Sequence, residues 1–272
     1  MEKFFIKTNE CKDSDYSITK RVQKCLESYG KKCILDSEEE LNDHLLRDID
    51  CVIVIGGDGT LIDAARMTLG SQIPMLGINM GTLGYLTEVE VQNAEEAIAQ
   101  LIEGKYTVEK RMMLSASAKD ETAIALNDVV VARNGRVRMV QFNLYVNGQF
   151  LISYKADGLI VSTPTGSTAY NLSAGGPIVE PTAVLTLVTP ICSHALNSNS
   201  IVFSGDDEIV IEIGSRRPGE EEEAMVTVDG IDLQPIKTGE SVRIARASES
   251  FNLIKLSKIS FLETLREKMK GN

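Results

Sequence analysis

A chain of 272 residues is long enough for two domains or one large one, and it can bury a sizeable core. Hydrophobic residues make up 43% and charged residues 25%, close to the soluble globular average, which excludes a disordered, collagenous or coiled-coil chain. Asp and Glu outnumber Lys and Arg by 39 to 28, a formal charge of −11 that suits neither a nucleic-acid backbone nor an anionic membrane as partner.

From residue 1 to about 103, short apolar runs alternate with helix-period stretches. Phe4 to Ile6, Cys33 to Leu35, Cys51 to Ile55 and Pro74 to Ile78 read as strands, and 15–29, 38–47, 60–69 and 91–103 as helices. Alternating elements with continuously apolar strands predict an α/β domain built on a parallel sheet. After Gly104 the character changes. Met113 to Ala118, Ile124 to Ala132, Phe142 to Val146, Leu159 to Ser162, Ile201 to Phe203, Glu208 to Ile213, Met225 to Val228, Val242 to Ala245 and Phe251 to Leu256 read as short strands separated by turn signals such as Asn147-Gly148. They predict a β-rich, β-sandwich-like domain over 104–256. The final segment, Ser260 to Lys270, places Phe261, Leu262, Leu265 and Met269 on one helical stripe. It is expected to dock on a core and return to the first domain, so that 257–272 joins 1–103. The acidic run Glu38 to Glu40 reads as a helix surface, and Glu220 to Glu223 as a solvated turn tip.

Five scattered cysteines (Cys11, Cys25, Cys33, Cys51 and Cys192) form no CxxC pair, so neither a disulfide framework nor a thiolate zinc site is indicated. With only His44 and His194, any metal is expected to be a hard cation held by oxygens and substrate phosphates. The N-terminus MEKFFIKTNE lacks the apolar core of a signal peptide, and no apolar run approaches the ~18 residues of a membrane span. A soluble, cytoplasmic protein is the expectation.

Three constellations carry chemistry. In CVIVIGGDGTLIDAAR, residues 51 to 66, an apolar strand runs into Gly56-Gly57-Asp58-Gly59, and Thr60 opens a helix. Ligands of open α/β sheets bind outside the carboxyl ends of strands, where the free amides of a helix N-terminus attract phosphate. The loop is neither GxGxxG nor GxxxxGK[ST], which argues against the ordinary dinucleotide fold and the P-loop. In ADGLIVSTPTGSTAYNLSAGGPIV, residues 156 to 179, hydroxyls surround Tyr170, a combination that suits a purine by stacking and edge recognition. Composition alone equally admits a Thr/Ser-rich strand connection followed by a capped helix. In Leu126-Asn127-Asp128-Val129, an amide beside a carboxylate suits vicinal ribose hydroxyls, although such a pair taken alone is more often a turn.

GGDGT at 56 to 60, NMGTLGYLTE at 79 to 88, LNDVVVAR at 126 to 133 and DGLIVSTPTGSTAYNLSAGGPI at 157 to 178 resemble the NAD kinase family, in family order. GGDGT alone is shared with lipid kinases and resembles a phosphofructokinase loop, whereas the long fourth block is far more specific. The resemblance implies a two-domain enzyme that phosphorylates the adenosine-ribose 2′-hydroxyl of NAD to give NADP, using ATP or polyphosphate and a divalent metal, usually Mg²⁺. It also implies a homodimer or homotetramer. By motif, Asp58 resembles the catalytic proton acceptor and Gly59 the adjacent contact, with Gly56, Gly57 and Thr60 in the phosphate loop. Asn127 and Asp128 resemble the ribose-binding pair. Arg138, Lys155 and Asp157 fall where the family contacts NAD, and Thr168, Ala169, Tyr170, Asn171, Leu172 and Ser173 match its base-binding segment. The chain departs from the pattern at Asn199, where many relatives carry Arg, and at Glu180, where relatives often carry His.

Phosphoryl transfer passes through a loose transition state in which positioning and charge neutralisation supply most of the catalysis. Asp58, a carboxylate and so a weak base at neutral pH, is expected first to orient the hydroxyl and to take its proton late. A lipid kinase sharing GGDGT and a non-catalytic dinucleotide-binding regulator are the alternatives. The first would need an apolar or basic membrane-facing surface, and the second would tolerate loss of Asp58.

Overall fold

The structure, a computed structural model, describes residues 1–39, 41–81, 84–135, 139–194, 199–215, 219–256 and 260–270. Its chain forms two compact units, Met1–Lys110 with Phe251–Asn272, and Arg111–Ser250.

In the first unit, strands β1 (Lys3–Thr8), β2 (Lys32–Leu35), β3 (Cys51–Gly56) and β4 (Met75–Asn79) lie in the order β2-β1-β3-β4, all parallel. A two-residue strand, β5 (Val89–Glu90), continues beside β4. Helices α1 (Ser17–Ser28), α2 (Asp43–Leu46), α3 (Asp58–Met67) and α4 (Ala94–Ile102) connect or follow them. Every residue of β3 is buried, which is why its sequence shows no alternation: a parallel strand covered on both faces is apolar throughout. Val22 and Leu26 of α1 and Ala94, Ala97, Ile98 and Leu101 of α4 close one core against Phe4, Ile6, Ile53, Ile55, Leu76 and Ile78. The helical spacing of those residues is the i, i+3, i+4, i+7 stripe of an amphipathic helix.

The second unit is a sandwich of antiparallel sheets. Its strands are β6 (Thr107–Ala118), β7 (Glu121–Ala125), β8 (Asp128–Arg133), β9 (Val140–Val146), β10 (Gln149–Ala156), β11 (Gly158–Ser162), β12 (Leu185–Ile191), β13 (Ile201–Ser204), β14 (Ile209–Ile213), β15 (Glu223–Val228), β16 (Ile231–Lys237) and β17 (Ser241–Lys255). One sheet runs β13-β12-β11-β8-β15-β16, and another runs β10-β9-β14-β17 with β6 and β7 attached. Alternate residues of both meet in a single core, among them Val129, Val131, Leu159 and Val226 from the first and Phe142, Leu144, Ile211 and Ile244 from the second. A one-turn helix, α5 (Tyr170–Ser173), follows β11. The last residues of β17 serve the first unit, where Leu253 pairs in parallel with Met75.

Several elements differ from the sequence expectation. The helix expected over 38–47 is only α2, because Asn42 caps it by accepting the amides of His44 at 3.1 Å and Leu45 at 3.0 Å, and Glu38 and Glu39 lie in a turn. Glu40 is outside the described residues. Glu223 of the expected turn tip opens β15, and Glu222 accepts the Gln141 amide at 3.0 Å. The strand expected over Ile124 to Ala132 breaks at Leu126 and Asn127, whose amides bond a carboxylate instead of a neighbouring strand. Three strands had no clear sequence signal. β12 contains Pro190, which lies beyond the Leu185–Val188 stretch that pairs with β13 among the described residues. β16 contains Pro235 and is an edge strand. β10 is also an edge, and it leaves consecutive Phe150, Leu151 and Ile152 exposed.

The C-terminal helix α6 (Phe261–Met269) starts on a capping box, with Ser260 accepting the Glu263 amide at 3.3 Å and Glu263 accepting the Ser260 amide at 2.8 Å. The expected docking on a core is not what forms. The helix buries no residue, and Leu262 and Met269 are 69% and 73% exposed. Its contact within the first unit runs through Tyr85, whose ring centroid lies 6.2 Å from that of Phe261 and 4.4 Å from the Lys268 ammonium. An apolar stripe establishes the helix but not how much surface covers it.

Candidate active site

In the first unit, Gly56 ends β3 and Gly57 is the extended N-cap of α3, so Asp58 stands in the first helical turn rather than in a turn before the helix. An acidic residue there complements the positive end of the helix dipole. The Thr60 hydroxyl accepts the Asn9 side-chain amide at 2.9 Å. Any Cβ at position 56 would lie 2.5 Å from that hydroxyl, which explains the glycine. Gly59 is exposed, with open space where a side chain would stand. The Lys12 ammonium lies beside this loop, 3.3 Å from where a Cβ of Gly57 would be and 3.4 Å from the corresponding point at Gly81.

The Asp58 carboxylate is held by the turn that precedes β5. Its Oδ2 accepts the Tyr85 amide at 2.8 Å. Its Oδ1 accepts the amides of Leu86 at 3.1 Å and Thr87 at 3.0 Å and the Thr87 hydroxyl at 3.0 Å. Burial, and after it the Asp58 charge, pushes the Tyr85 phenol up from its ordinary value.

In the second unit, Asn127 and Asp128 sit at the start of β8 on a corner organised by Asp229. The Asp229 carboxylate accepts three successive amides, from Leu126 at 2.6 Å, Asn127 at 2.9 Å and Asp128 at 3.0 Å. Asp229 occupies the left-handed region, with φ 46°, in an Asp-Gly hairpin between β15 and β16. Asp128 is buried, and desolvation followed by the nearby Asp229 charge pushes its carboxyl up to about 7.

The long hydroxyl-rich segment is tied to that corner. The Thr163 amide donates to the Asn127 carbonyl at 2.9 Å, and the Thr163 hydroxyl donates to the Leu126 carbonyl at 2.6 Å. Gly166 packs so closely that a Cβ there would overlap the Asn127 carbonyl. Ser167 is wholly buried, donating to the Pro164 carbonyl at 2.6 Å and accepting the Val179 amide at 3.1 Å. Thr168 and Ala169 are half-buried, while Tyr170, Leu172 and Ser173 are exposed, so the Tyr170 ring has a free face.

Asn171 is placed differently from the rest of its segment. It is fully enclosed, its Nδ2 donating to the carbonyls of Ser167 and Pro177 at 3.1 Å each and its Oδ1 accepting the Thr189 hydroxyl at 2.7 Å. A Cβ on Gly176 would overlap its amide. Asn171 therefore builds the segment and presents no polar atom outward. Asp157 accepts the Arg133 Nε at 2.9 Å, and Lys155 is exposed on β10. Glu180 and Asn199 are exposed. Arg138 lies outside the described residues.

The structure thus joins two of the three constellations, Asn127-Asp128 and the 162–168 stretch, within one unit. Sequence reasoning missed Asp229 and Lys12, and it quoted Arg133 and the Gly84–Thr87 stretch within family blocks without assigning either a role. Asp229-Gly230 carries a readable turn signal, but nothing in it announces a carboxylate that reaches back 103 residues to Leu126.

Comparison with known proteins adds a second line of observation. The ATP-NAD kinase N-terminal domain matches residues 2–106, and the ATP-NAD kinase C-terminal domain matches residues 126–256. The NAD kinase of Lachnospira eligens is 43% identical over 293 residues, covering 99% of this chain and 100% of that protein. That of Agathobacter rectalis is 44% identical over 283 residues, covering 100% and 99%. Among solved structures, an NAD kinase from Archaeoglobus fulgidus in complex with ATP superposes with a TM-score of 0.82 at 25% identity, covering 98% of both chains. Yeast NADH kinase complexed with NADH superposes at 0.87 and 24% identity, covering 100% of this chain and 88% of its own, a likeness of fold.

Proposed function

The chain belongs to the NAD kinase family, and from that premise we propose how its residues divide the phosphorylation of the adenosine-ribose 2′-hydroxyl of NAD to NADP. The observation that carries the reading is the tie between Asn127-Asp128 and the Ser162–Ser173 stretch through Thr163 and Gly166. It sets a carboxamide and carboxylate, suited to ribose hydroxyls, beside a segment that offers the open Tyr170 ring to adenine. Asp157 with Arg133, and Lys155 on its exposed strand, supply charged groups for the rest of the dinucleotide. Asn171 supports these contacts from behind.

The first unit handles the phosphoryl group. Asp58 orients the hydroxyl and takes its proton as the new bond forms, while Gly56, Gly57, Gly59 and Thr60 cradle phosphate at the N-terminus of α3. The donor is ATP or polyphosphate, and the ATP bound to the Archaeoglobus relative favours ATP. Mg²⁺ would enter as the magnesium–nucleotide complex, carried mainly by the phosphates, since Mg²⁺ is usually bound through substrate phosphates. No described helix is long and apolar enough to cross a membrane. All five cysteines stand as free thiols, as a reducing, cytoplasmic setting would keep them. The exposed Phe150, Leu151 and Ile152 on the β10 edge support assembly as a homodimer or homotetramer.

The test is direct. Purified protein with NAD, ATP and Mg²⁺ is expected to yield NADP, and a parallel reaction with polyphosphate establishes the donor. No NADP from either donor would overturn the reading.

A further inference from the structure

Asp58 accepts more hydrogen bonds than its role demands. A carboxylate offers about four lone-pair positions. Among the described residues, three donors converge on Oδ1 and the Tyr85 amide takes one position on Oδ2, so the remaining acceptor capacity lies on Oδ2. Oδ1 is spent on the fold, and a substrate proton has one oxygen to go to.

The elements behind this arrangement are shaped for it. Thr87 is wholly buried. Its methyl lies against Gly77 of β4, where a Cβ would come within 2.8 Å, and its hydroxyl is turned to the carboxylate at 3.0 Å. Gly84 lets the turn close, because a side chain there would overlap both the Asp58 carboxylate and the Thr87 hydroxyl. Two glycines from separate stretches are thus needed to seat one threonine on one aspartate.

We infer that the Gly84–Thr87 turn is a clamp that fixes the Asp58 carboxylate for proton acceptance at Oδ2, with Thr87 as its positioning residue. The inference rests on Asp58 being the group that takes the substrate proton. Thr87 touches no substrate; its hydroxyl anchors Oδ1, so that Oδ2 keeps one direction. A rotating carboxylate would spend much of its time with the open lone pair misdirected, lowering turnover without altering NAD binding.

The experiment compares Thr87→Val, Thr87→Ser and wild type in steady-state NADP formation, with melting temperatures recorded alongside. Thr87→Val is expected to lower kcat about 10-fold or more, the size of one hydrogen bond to a charged group, with KM for NAD within about twofold. Thr87→Ser, which keeps the hydroxyl and loses only the methyl, is expected to recover most of that turnover even if it melts lower. A purely structural Thr87 would give the opposite order, with turnover following melting temperature rather than the hydroxyl, and that result overturns the clamp. Should Thr87→Val not fold, Thr87→Ser and Thr87→Cys carry the same comparison, a strong donor against a weak one on a side chain of the same connectivity. Equal kcat in that pair also overturns it. Asp58→Asn, run in parallel, separates the two claims. Undiminished turnover there removes the role of Asp58 and the clamp together, whereas an inactive Asp58→Asn beside a fully active Thr87→Val removes the clamp alone.

Discussion

Asp128 and Asp229 are tied by two reciprocal hydrogen bonds while their carboxyl groups repel. The Asp128 amide donates to the Asp229 carboxylate at 3.0 Å, and the Asp229 amide donates to the Asp128 carbonyl at 3.0 Å. The pairing fixes the corner on which Asn127 and Asp128 stand, and it places a second negative charge near a carboxyl that burial already disfavours as an anion.

A stability signature follows from that carboxyl. Its pKa rises from an ordinary 3.8 to about 7 in the fold. Between about pH 4 and pH 7 the unfolded chain has ionised Asp128 while the folded chain keeps its proton, so the native state binds more protons and stability falls as pH rises through that window. Asp128→Asn has no such titration. Urea denaturation without NAD should show the variant gaining on wild type by about 1 to 3 kcal/mol from pH 5 to pH 8. A difference that stays constant with pH would mean that Asp128 ionises normally in the fold.

Asn171 gives a prediction that separates scaffold from contact. Its three buried hydrogen bonds leave nothing to offer a ligand. Asn171→Ala strands two carbonyls, leaves the Thr189 hydroxyl to Ser200 at 2.8 Å and opens a small void, so a loss of about 2 to 4 kcal/mol in unfolding free energy is expected. Gly176→Ala should cost stability through the same side chain. If Asn171→Ala unfolds like wild type but binds NAD poorly, the residue is a contact after all.

Tyr170 should behave in the reverse way. The residue is 46% exposed, so truncation removes little packing and the melting temperature should hardly move. Stacking on a base is worth roughly 1 to 3 kcal/mol, so Tyr170→Ala should weaken NAD binding about 5- to 150-fold while Tyr170→Phe remains mild. Equal losses in both variants, read by titration, would assign the effect to the hydroxyl instead of the ring.

The contrast between these neighbours shows what the sequence made legible. The strands β1, β3 and β4 stood out because buried parallel strands are unbroken apolar runs, and Asp58 stood out because a carboxylate framed by glycines after such a run has few structural reasons to be there. Asn171 and Tyr170 are indistinguishable as letters in a motif, because enclosure is a property of the packed segment. Asp229, Thr87 and Arg133 act across gaps of 101, 29 and 24 residues on Asp128, Asp58 and Asp157, and no local pattern encodes such reach. The β8 start was misjudged for the same reason: the apolar residues on both sides of Leu126 and Asn127 read as one continuous strand, but a distant carboxylate takes their amides.

Substrate class provides the last prediction, because the GGDGT loop is compatible with lipid as well as dinucleotide kinases. A dinucleotide kinase must recognise a polar, charged substrate, and the second unit sets Asn127, Asp128, Asp157 and the open Tyr170 ring in or beside its hydroxyl-rich segment. A lipid kinase needs an apolar trough with few hydrogen-bonding groups. A ligand that binds only the folded state stabilises it by about 2.7 kcal/mol at ~100-fold excess over its dissociation constant, which is visible in a thermal scan. NAD at that excess should therefore raise the melting temperature by several degrees, while dispersed diacylglycerol should give neither a shift nor a phosphorylated product. A scan that does not respond to NAD, joined to lipid phosphorylation by the same preparation, would overturn the assignment of substrate despite the family's motifs.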